Sequence, residues 1–373
     1  MNTAHLNQRR ALWPTVKPYI AVFDGTLALI VFLLVAVGLV TMYSAGMDAP
    51  GRFEGQIRNI LVAFVVMWMA ALIPPQTLMR FAVPLYVAGV ALLVAVAMFG
   101  IVKKGARRWI DLGIVIQPSE IMKIAVPLML AWFFQKREGF IRWQEYLIAA
   151  ILLMIPMGLI LKQPDLGTSL LVGTAGFAVI FFAGLSWKIL FTLGAAGLAS
   201  LPVIWSMLHD YQRGRVMMLL DPTTDPLGRG FHIIQSTIAI GSGGVSGKGW
   251  LNGTQTHLDF IPERTSDFIF AVYSEEFGLI GNGVLLLLYL FLIGRCVLIA
   301  ANAPTLFARL LAAAITTIFF TYAFVNMGMV SGILPVVGVP LPFISYGGTA
   351  FVTLGLGLGM LMSIQRHRKL IQS

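Results

Sequence analysis

Charged residues are scarce in this chain of 373 residues, where Asp, Glu, Lys and Arg together make up only 11%. Soluble domains carry about 25% charged residues, and disordered chains carry more charge and fewer aliphatic side chains, so both classes are excluded. The single cysteine, Cys296, excludes an intrachain disulfide. GxxxxGK[ST], HExxH and CxxC motifs are absent, so nucleotide hydrolysis and zinc chemistry have no support.

Hydrophobic residues, by contrast, make up 58% of the chain and form ten apolar segments. A helix needs about 20 mostly apolar residues to cross roughly 30 Å of hydrocarbon. We therefore predict an all-α, polytopic integral membrane protein with about ten transmembrane helices, whose cores are 26–43, 60–73, 81–102, 121–134, 146–161, 168–185, 189–208, 268–293, 308–329 and 349–364.

The spacing of these segments predicts one membrane domain with two short flanking regions. Residues 23–365 form a single ten-helix domain, which includes a large external loop at about 209–266 between helices 7 and 8. Residues 1–22 form a cytoplasmic N-terminal segment, and residues 366–373 form a basic cytoplasmic tail. A structureless loop of such length is uncommon unless it is functional or disordered, and its aromatic residues favour an ordered cap.

Net charge is divided unevenly between the two sides of the membrane that ten helices create. With a cytoplasmic N-terminus, that side carries 13 of the 26 Lys and Arg residues but only three acids, Asp24, Glu138 and Glu145. The whole net charge of +10 then falls on the side that the positive-inside rule favours. The basic total reflects insertion and attraction to anionic membrane lipids, so no nucleic-acid partner is predicted.

Two charges lie at the start of the fourth helix, where ionisable residues are costly and usually functional. Glu120 and Lys123 are three residues apart and therefore share one helix face. Two interpretations stay open for them. In the first, they form a structural ion pair with a helix cap; in the second, Lys123 faces a cavity and binds an anionic headgroup while Glu120 holds it.

Asp267 lies where the large loop re-enters the membrane as Arg264-Thr265-Ser266-Asp267. An acid at a helix N-terminus often only caps the backbone amides. Here the position at the membrane surface, the basic residue just before it, and Glu275 and Glu276 deeper in the same helix favour a functional role. A carboxylate there could act as general base on a substrate hydroxyl.

Long motifs spread along nearly the whole chain resemble the SEDS family of bacterial cell-wall proteins, and within it the cell-elongation branch. They include GARRWIDLG, QPSEIMKIAVP, QPDLGTS, GFHIIQSTIAIGSGG, GKGW, FIPERTSDFIFAVYSEEFGLIG and NMGMVSGILPVVGVPLPFISYGG. The resemblance implies a peptidoglycan glycosyltransferase of the bacterial inner membrane. Such an enzyme polymerises lipid II, an undecaprenyl-diphosphate-linked disaccharide peptide, on the outer face of the membrane.

The same resemblance assigns roles to four residues. By the family pattern, Asp267 is the catalytic carboxylate that activates the acceptor sugar hydroxyl. Trp109 matches a functional tryptophan of the first large external loop, and Glu120 and Lys123 match a pair important for activity. A class B penicillin-binding transpeptidase and shape proteins of the elongation complex are the implied protein partners.

A diphosphate leaving group calls for positive charge on the external side. The basic residues that could supply it, although the positive-inside rule disfavours such residues on this side, are Lys103, Lys104, Arg107, Arg108, Lys123, Arg213, Arg215 and Arg264. We expect removal of charge at Arg213 or Arg215 to weaken substrate use more than folding. A divalent cation, Mg or Mn, stays open as a cofactor, and the sequence identifies no ligands for it.

Two other functions stay open beside the enzyme. A lipid II flippase fits ten helices with intramembrane charges equally well, and a non-catalytic scaffold for the transpeptidase would not need Asp267. The position of Asp267 and its basic neighbours at one face of the membrane, away from the midplane, favours the enzyme.

Overall fold

The computed structural model of the chain describes residues 22–47, 49–103, 106–111, 113, 115–139, 141–207, 213–214, 217, 230–257 and 263–371. Within these ranges the helices are α1 Gly25–Ala45, α2 Arg52–Leu72, α3 Pro75–Phe99, α4 Pro118–Gln135, α5 Trp143–Lys162, α6 Leu166–Phe182, α7 Trp187–Met207, α8 Phe231–Ser242, α9 Thr254–His257, α10 Ile269–Ala301, α11 Leu306–Val330 and α12 Gly348–Ile371. All of them except α8 and α9 coincide with the ten predicted segments.

The helices have the length and composition of membrane spans. Seven of them, α1, α2, α3, α5, α10, α11 and α12, are long and apolar enough to cross a membrane. The apolar stretches of α6 and α7 are shorter, and α4 carries two charges in its first two turns. The predicted all-α, polytopic membrane fold is confirmed.

A small antiparallel sheet follows α3 and was not predicted from the sequence. Its strands are β1 Ile101–Lys103, β2 Ala106–Asp111 and β3 Val115–Ile116, in the order β1-β2-β3. Trp109 lies on the central strand, opposite Ile101. The sheet leads directly into α4, which begins with Pro118 at a position where a proline costs no hydrogen bond.

The large loop and the end of the chain differ in detail from the predicted boundaries. The described part of the loop contains α8 and α9, and this supports the prediction that the loop is an ordered cap. Helix α12 continues to Ile371, into the segment predicted as a tail. The predicted N-terminal segment lies outside the described residues except for Val22, and the division into three regions stays a prediction.

Helix α11 lies at the centre of the bundle, where it packs against α4, α6, α10 and α12. Most of its residues are buried. Its first turn is capped by the Thr305 hydroxyl, which accepts from the Ala308 amide at 3.2 Å. The Gln135 side chain, from the end of α4, accepts from the Phe307 amide at 2.7 Å.

An ion pair joins α1 to the second half of α10 on the predicted cytoplasmic side. Asp24 caps α1 by accepting from the Leu27 amide at 2.9 Å, and the Arg295 guanidinium donates to both of its carboxylate oxygens. The Asp24 side chain is only 5% exposed. One carboxylate therefore holds a helix end and a neighbouring helix together.

We expect Arg295→Ala to destabilise the fold, because removing one partner of a buried pair costs about 3 kcal/mol. The measurement is the midpoint of thermal unfolding in detergent. Arg309→Ala is the matched control, since Arg309 is exposed and lies at the start of the neighbouring helix α11. Equal midpoints for the two variants would contradict a role for the Asp24 pair.

Candidate active site

A polar cavity of about 300 Å³ brings together four of the residues singled out from the sequence. Trp109, Glu120, Lys123 and Asp267 all line it, although they belong to a strand, a helix and a turn that are far apart in the chain. Arg108, Gln117 and Asp165 complete its polar wall. The cavity therefore contains both cationic and anionic side chains.

Lys123 and Glu120 form an ion pair at one side of this cavity. The Lys123 ammonium lies 2.5 Å from Glu120 Oε1 and donates to the Tyr322 hydroxyl oxygen, also at 2.5 Å. Lys123 is 2% exposed and Tyr322 is fully buried. The second Glu120 oxygen accepts from the Thr353 hydroxyl at 3.3 Å. The ion pair of the first interpretation and the cavity of the second are both present, but the N-terminus of α4 has no side-chain cap, and binding of a headgroup stays a prediction.

The backbone around Asp267 is fixed by α11 and by the irregular segment 331–347. The Asn326 amide group donates to the Asp267 carbonyl at 2.9 Å and to the Val339 carbonyl at 2.7 Å. Gly338 has φ +72°, and a Cβ there would lie 3.4 Å from Asp267 Oδ2. The carboxylate therefore lies directly beside this glycine.

Helix α8 contacts Phe268, the residue that follows Asp267. The His232 ring stacks on Phe268, with centroids 5.6 Å apart. Burial lowers the pKa of His232, and the Glu263 carboxylate opposes this only in part. The lowered pKa favours the neutral form of the ring.

The proline-rich segment 331–347 is irregular and lines the cavity, as its three prolines predict. The Tyr346 amide donates to the Thr265 carbonyl at 2.8 Å, so this segment is tied to the turn that precedes α10. The Ser345 hydroxyl accepts from the Leu341 amide at 2.7 Å. These bonds satisfy backbone groups that no helix satisfies.

Asp165 and Arg108 add a second pair of opposite charges. Asp165 caps α6 by accepting from the amide and the hydroxyl of Thr168, and it also accepts from the Gln117 side chain at 3.2 Å. An Arg108 nitrogen lies 4.0 Å from Asp165 Oδ2. The side chain that caps α6 therefore also faces the cavity.

Of the predicted basic residues, Arg108 and Lys123 line the cavity, whereas the described Arg107, Arg213 and Arg264 are not among its lining residues. Arg213 donates to the carbonyls of Trp205 and Ser206 at the end of α7. Arg264 donates to the Ala45 carbonyl at 2.9 Å, and Arg215 lies outside the described residues. Their roles toward substrate stay predictions.

Tyr322 and Thr353 were missed in the sequence. Each lies in a long apolar helix, α11 or α12, and the sequence separations from their partners are 199 and 233 residues. Hydroxyl side chains are common in membrane helices, where they often bond to backbone carbonyls, so no local pattern distinguishes these two.

Comparisons with known proteins agree along nearly the whole chain. Residues 25–370 match the sequence model of the FtsW, RodA and SpoVE family, described as cell cycle protein. The peptidoglycan glycosyltransferase MrdB of Escherichia coli (strain K12) is 51% identical over 365 residues, covering 97% of each chain. The probable peptidoglycan glycosyltransferase FtsW of Trichlorobacter lovleyi is 38% identical, covering 95% of this chain and 96% of the relative.

Solved structures share the fold. The rod shape determining protein RodA of Thermus thermophilus aligns with a TM-score of 0.70 and 30% identity over 93% of this chain and 97% of that one. A chain from a peptidoglycan synthase complex, described as coordinating polymerization and crosslinking, aligns with a TM-score of 0.81 and 35% identity over 93% and 98%. The chain therefore belongs to the family of FtsW, RodA and SpoVE, the SEDS family, which its motifs resemble.

Proposed function

We propose that the chain is a peptidoglycan glycosyltransferase that polymerises lipid II during cell elongation, with Asp267 as the general base. The observation that carries the proposal is the convergence of Trp109, Glu120, Lys123 and Asp267 on one cavity. It occurs in a chain that is 51% identical to a protein named as such a transferase.

The chemistry requires one proton acceptor and one site for developing negative charge. The acceptor sugar hydroxyl bonds to the anomeric carbon of the donor while the bond from that carbon to the diphosphate oxygen breaks. Asp267 takes the hydroxyl proton. Lys123 and Arg108 line the same cavity and would stabilise the leaving diphosphate.

An apolar groove beside the cavity suits the lipid part of such a substrate. It has a volume of about 640 Å³ and is lined mainly by apolar side chains of α2, α3, α4 and α12. Gln117, Glu120 and Thr349 line both the groove and the polar cavity. A polyprenyl chain in the groove would therefore deliver its diphosphate to the Glu120–Lys123 pair.

A divalent cation would depend on the substrate for part of its coordination. Among the described residues, no three His, Cys, Asp or Glu side chains are grouped closely enough to hold a metal. Mg²⁺ is commonly bound by one or two carboxylates together with substrate phosphates. Glu120, Asp165 and Asp267 line the cavity and are the carboxylates available for this.

We place the cavity on the outer face of the inner membrane, with both termini in the cytoplasm. The charge distribution supports this orientation. Asp24 and Arg295, which it assigns to the cytoplasmic side, are in contact in the structure. A site at one face suits an enzyme better than a flippase, which must expose its site to both faces.

The partner that fits the membrane surface is the transmembrane helix of a class B penicillin-binding transpeptidase. A groove of about 410 Å³ between α10 and α11 is lined almost entirely by apolar side chains, among them the exposed Phe320 and Phe324. The solved relative from a synthase complex supports such a partner. Shape proteins of the elongation complex are proposed from family resemblance alone.

We expect Asp267→Asn to reduce polymerisation about 100-fold or more, because general base catalysis contributes about that factor. The assay is glycan formation from lipid II by the purified chain with its transpeptidase partner, at equal folded amounts. Glu54→Gln is the matched control, since Glu54 is an exposed acid in the first turn of α2. Undiminished polymer in Asp267→Asn would contradict the proposal, and a transbilayer lipid II assay would then test the flippase.

We expect Tyr322→Phe to reduce polymerisation about tenfold while the fold is retained, because the buried Lys123 ammonium loses one acceptor. Polymer yield and thermal midpoint are measured together. Tyr86→Phe is the control, since its hydroxyl donates to the Leu152 carbonyl away from the cavity. Equal polymer yields from the two variants would rule out a role for the Tyr322 hydroxyl.

We expect the double substitution Phe320→Ala and Phe324→Ala to reduce co-purification of the transpeptidase several-fold, because aromatic anchors dominate contacts in such grooves. The matched control replaces Phe32 and Phe81 by Ala, since these two side chains are at least as exposed, on α1 and α3. Unchanged co-purification of the transpeptidase with the first variant would place the partner elsewhere.

A further inference from the structure

Helix α10 is interrupted at Gly278, eleven residues after Asp267. Gly278 has φ 64° and ψ −160°, so the 33 residues form two helical halves, 269–277 and 279–301. A break leaves carbonyls at the end of the first half and amides at the start of the second without helical partners. At membrane depth such groups need partners from the protein.

A short segment, residues 243–249, supplies these partners, and we call it the strap. The Lys248 and Gly249 amides donate to the carbonyls of Glu275 and Glu276, both at 3.0 Å. In return, the Leu279 and Ile280 amides donate to the carbonyls of Gly244 and Val245, at 2.9 and 3.1 Å. Four backbone hydrogen bonds thus connect the strap to both sides of the break.

Glycines allow this close approach. A Cβ at Gly243 would lie 2.2 Å from the Ser274 carbonyl oxygen, and one at Gly247 would lie 2.1 Å from the Glu276 carbonyl oxygen. A Cβ at Gly278 would lie 2.3 Å from the Gly247 nitrogen. The glycine-rich strap therefore packs directly against the α10 backbone.

A buried carboxylate holds the strap in place. Glu275 is fully buried, and its Oε1 lies 2.7 Å from the Lys248 ammonium. The same oxygen accepts from the Gln255 amide at 3.0 Å and from the Thr254 hydroxyl at 3.2 Å. Removal of Lys248 would take a cation away from the buried Glu275 carboxylate, which weakens the contact.

The first half of α10 transmits this contact to the candidate active site. It begins two residues after Asp267, and Ile269 to Glu276 are all buried. From Ile269 to Glu275 this half of the helix extends about 9 Å at 1.5 Å per residue. A short buried helix moves as one body, so a shift at the strap displaces the Asp267 end.

We propose that Lys248 and Glu275 are positioning residues for Asp267. Their ion pair locks the strap onto the first half of α10 and thereby fixes the carboxylate in the cavity. The inference rests on the proposed glycosyltransferase function and adds to it two residues that are not among those lining the cavity.

The test compares kcat and KM for lipid II polymerisation by the full-length purified chain. Lys248→Met is expected to lower kcat about tenfold with KM unchanged within about twofold, because binding residues stay in place while the base is misplaced. Lys248→Arg, which keeps the charge, is expected to restore most of kcat. Lys188→Met is the matched control, since Lys188 is exposed on α7.

Unchanged kcat per folded molecule in Lys248→Met would overturn the inference, even with a lower thermal midpoint, and so would a loss confined to KM. If Lys248→Met does not fold, Glu275→Gln decides by the same criteria, with a several-fold loss of kcat expected. Wild type and Asp267→Asn are assayed in parallel. Equal polymer from those two would refute the proposed function itself, whereas loss in Asp267→Asn alone would refute only the inference.

Discussion

The rest of the structure depends on a lysine charge buried inside a bundle of membrane helices. Lys123 is 2% exposed, and an unpaired ammonium in such surroundings would be very costly. Its partners come from α4 itself through Glu120 and from α11 through Tyr322, while α12 holds Glu120 through Thr353. The need to satisfy one charge therefore brings three helices together, and the cavity lies where they meet.

Most of the fold follows from the sequence, because long apolar segments have few alternatives in a membrane. The ten helices lie where hydropathy predicts them, although their ends differ by several residues. The break at Gly278 could not be predicted from the sequence. The chain has 38 glycines, and nothing near Gly278 distinguishes it, because the break is stabilised by contacts with the strap, which is distant in the sequence. The β1–β2–β3 sheet was missed for a similar reason, since its strands are two to six residues long.

Some residues of the candidate site can be recognised from the sequence around them, and others cannot. Trp109, Glu120, Lys123 and Asp267 lie in family motifs or carry charge at membrane depth, and the structure brings them to one cavity. Tyr322 and Thr353 give no local signal, because their roles come only from their partners. Arg213 was predicted from charge alone, but in the structure it bonds carbonyls at the end of α7.

The order in which the helices are synthesised gives the buried lysine a further consequence. Glu120 and Lys123 are made before Tyr322 and Thr353, which lie 199 and 233 residues away from their respective partners. Until α11 and α12 are in the membrane, the ion pair lacks both hydroxyl partners and the cavity lacks a wall. A chain that stops before α12 therefore presents an incompletely satisfied charge to the bilayer, a feature that membrane quality control can recognise, and it cannot contain a complete site.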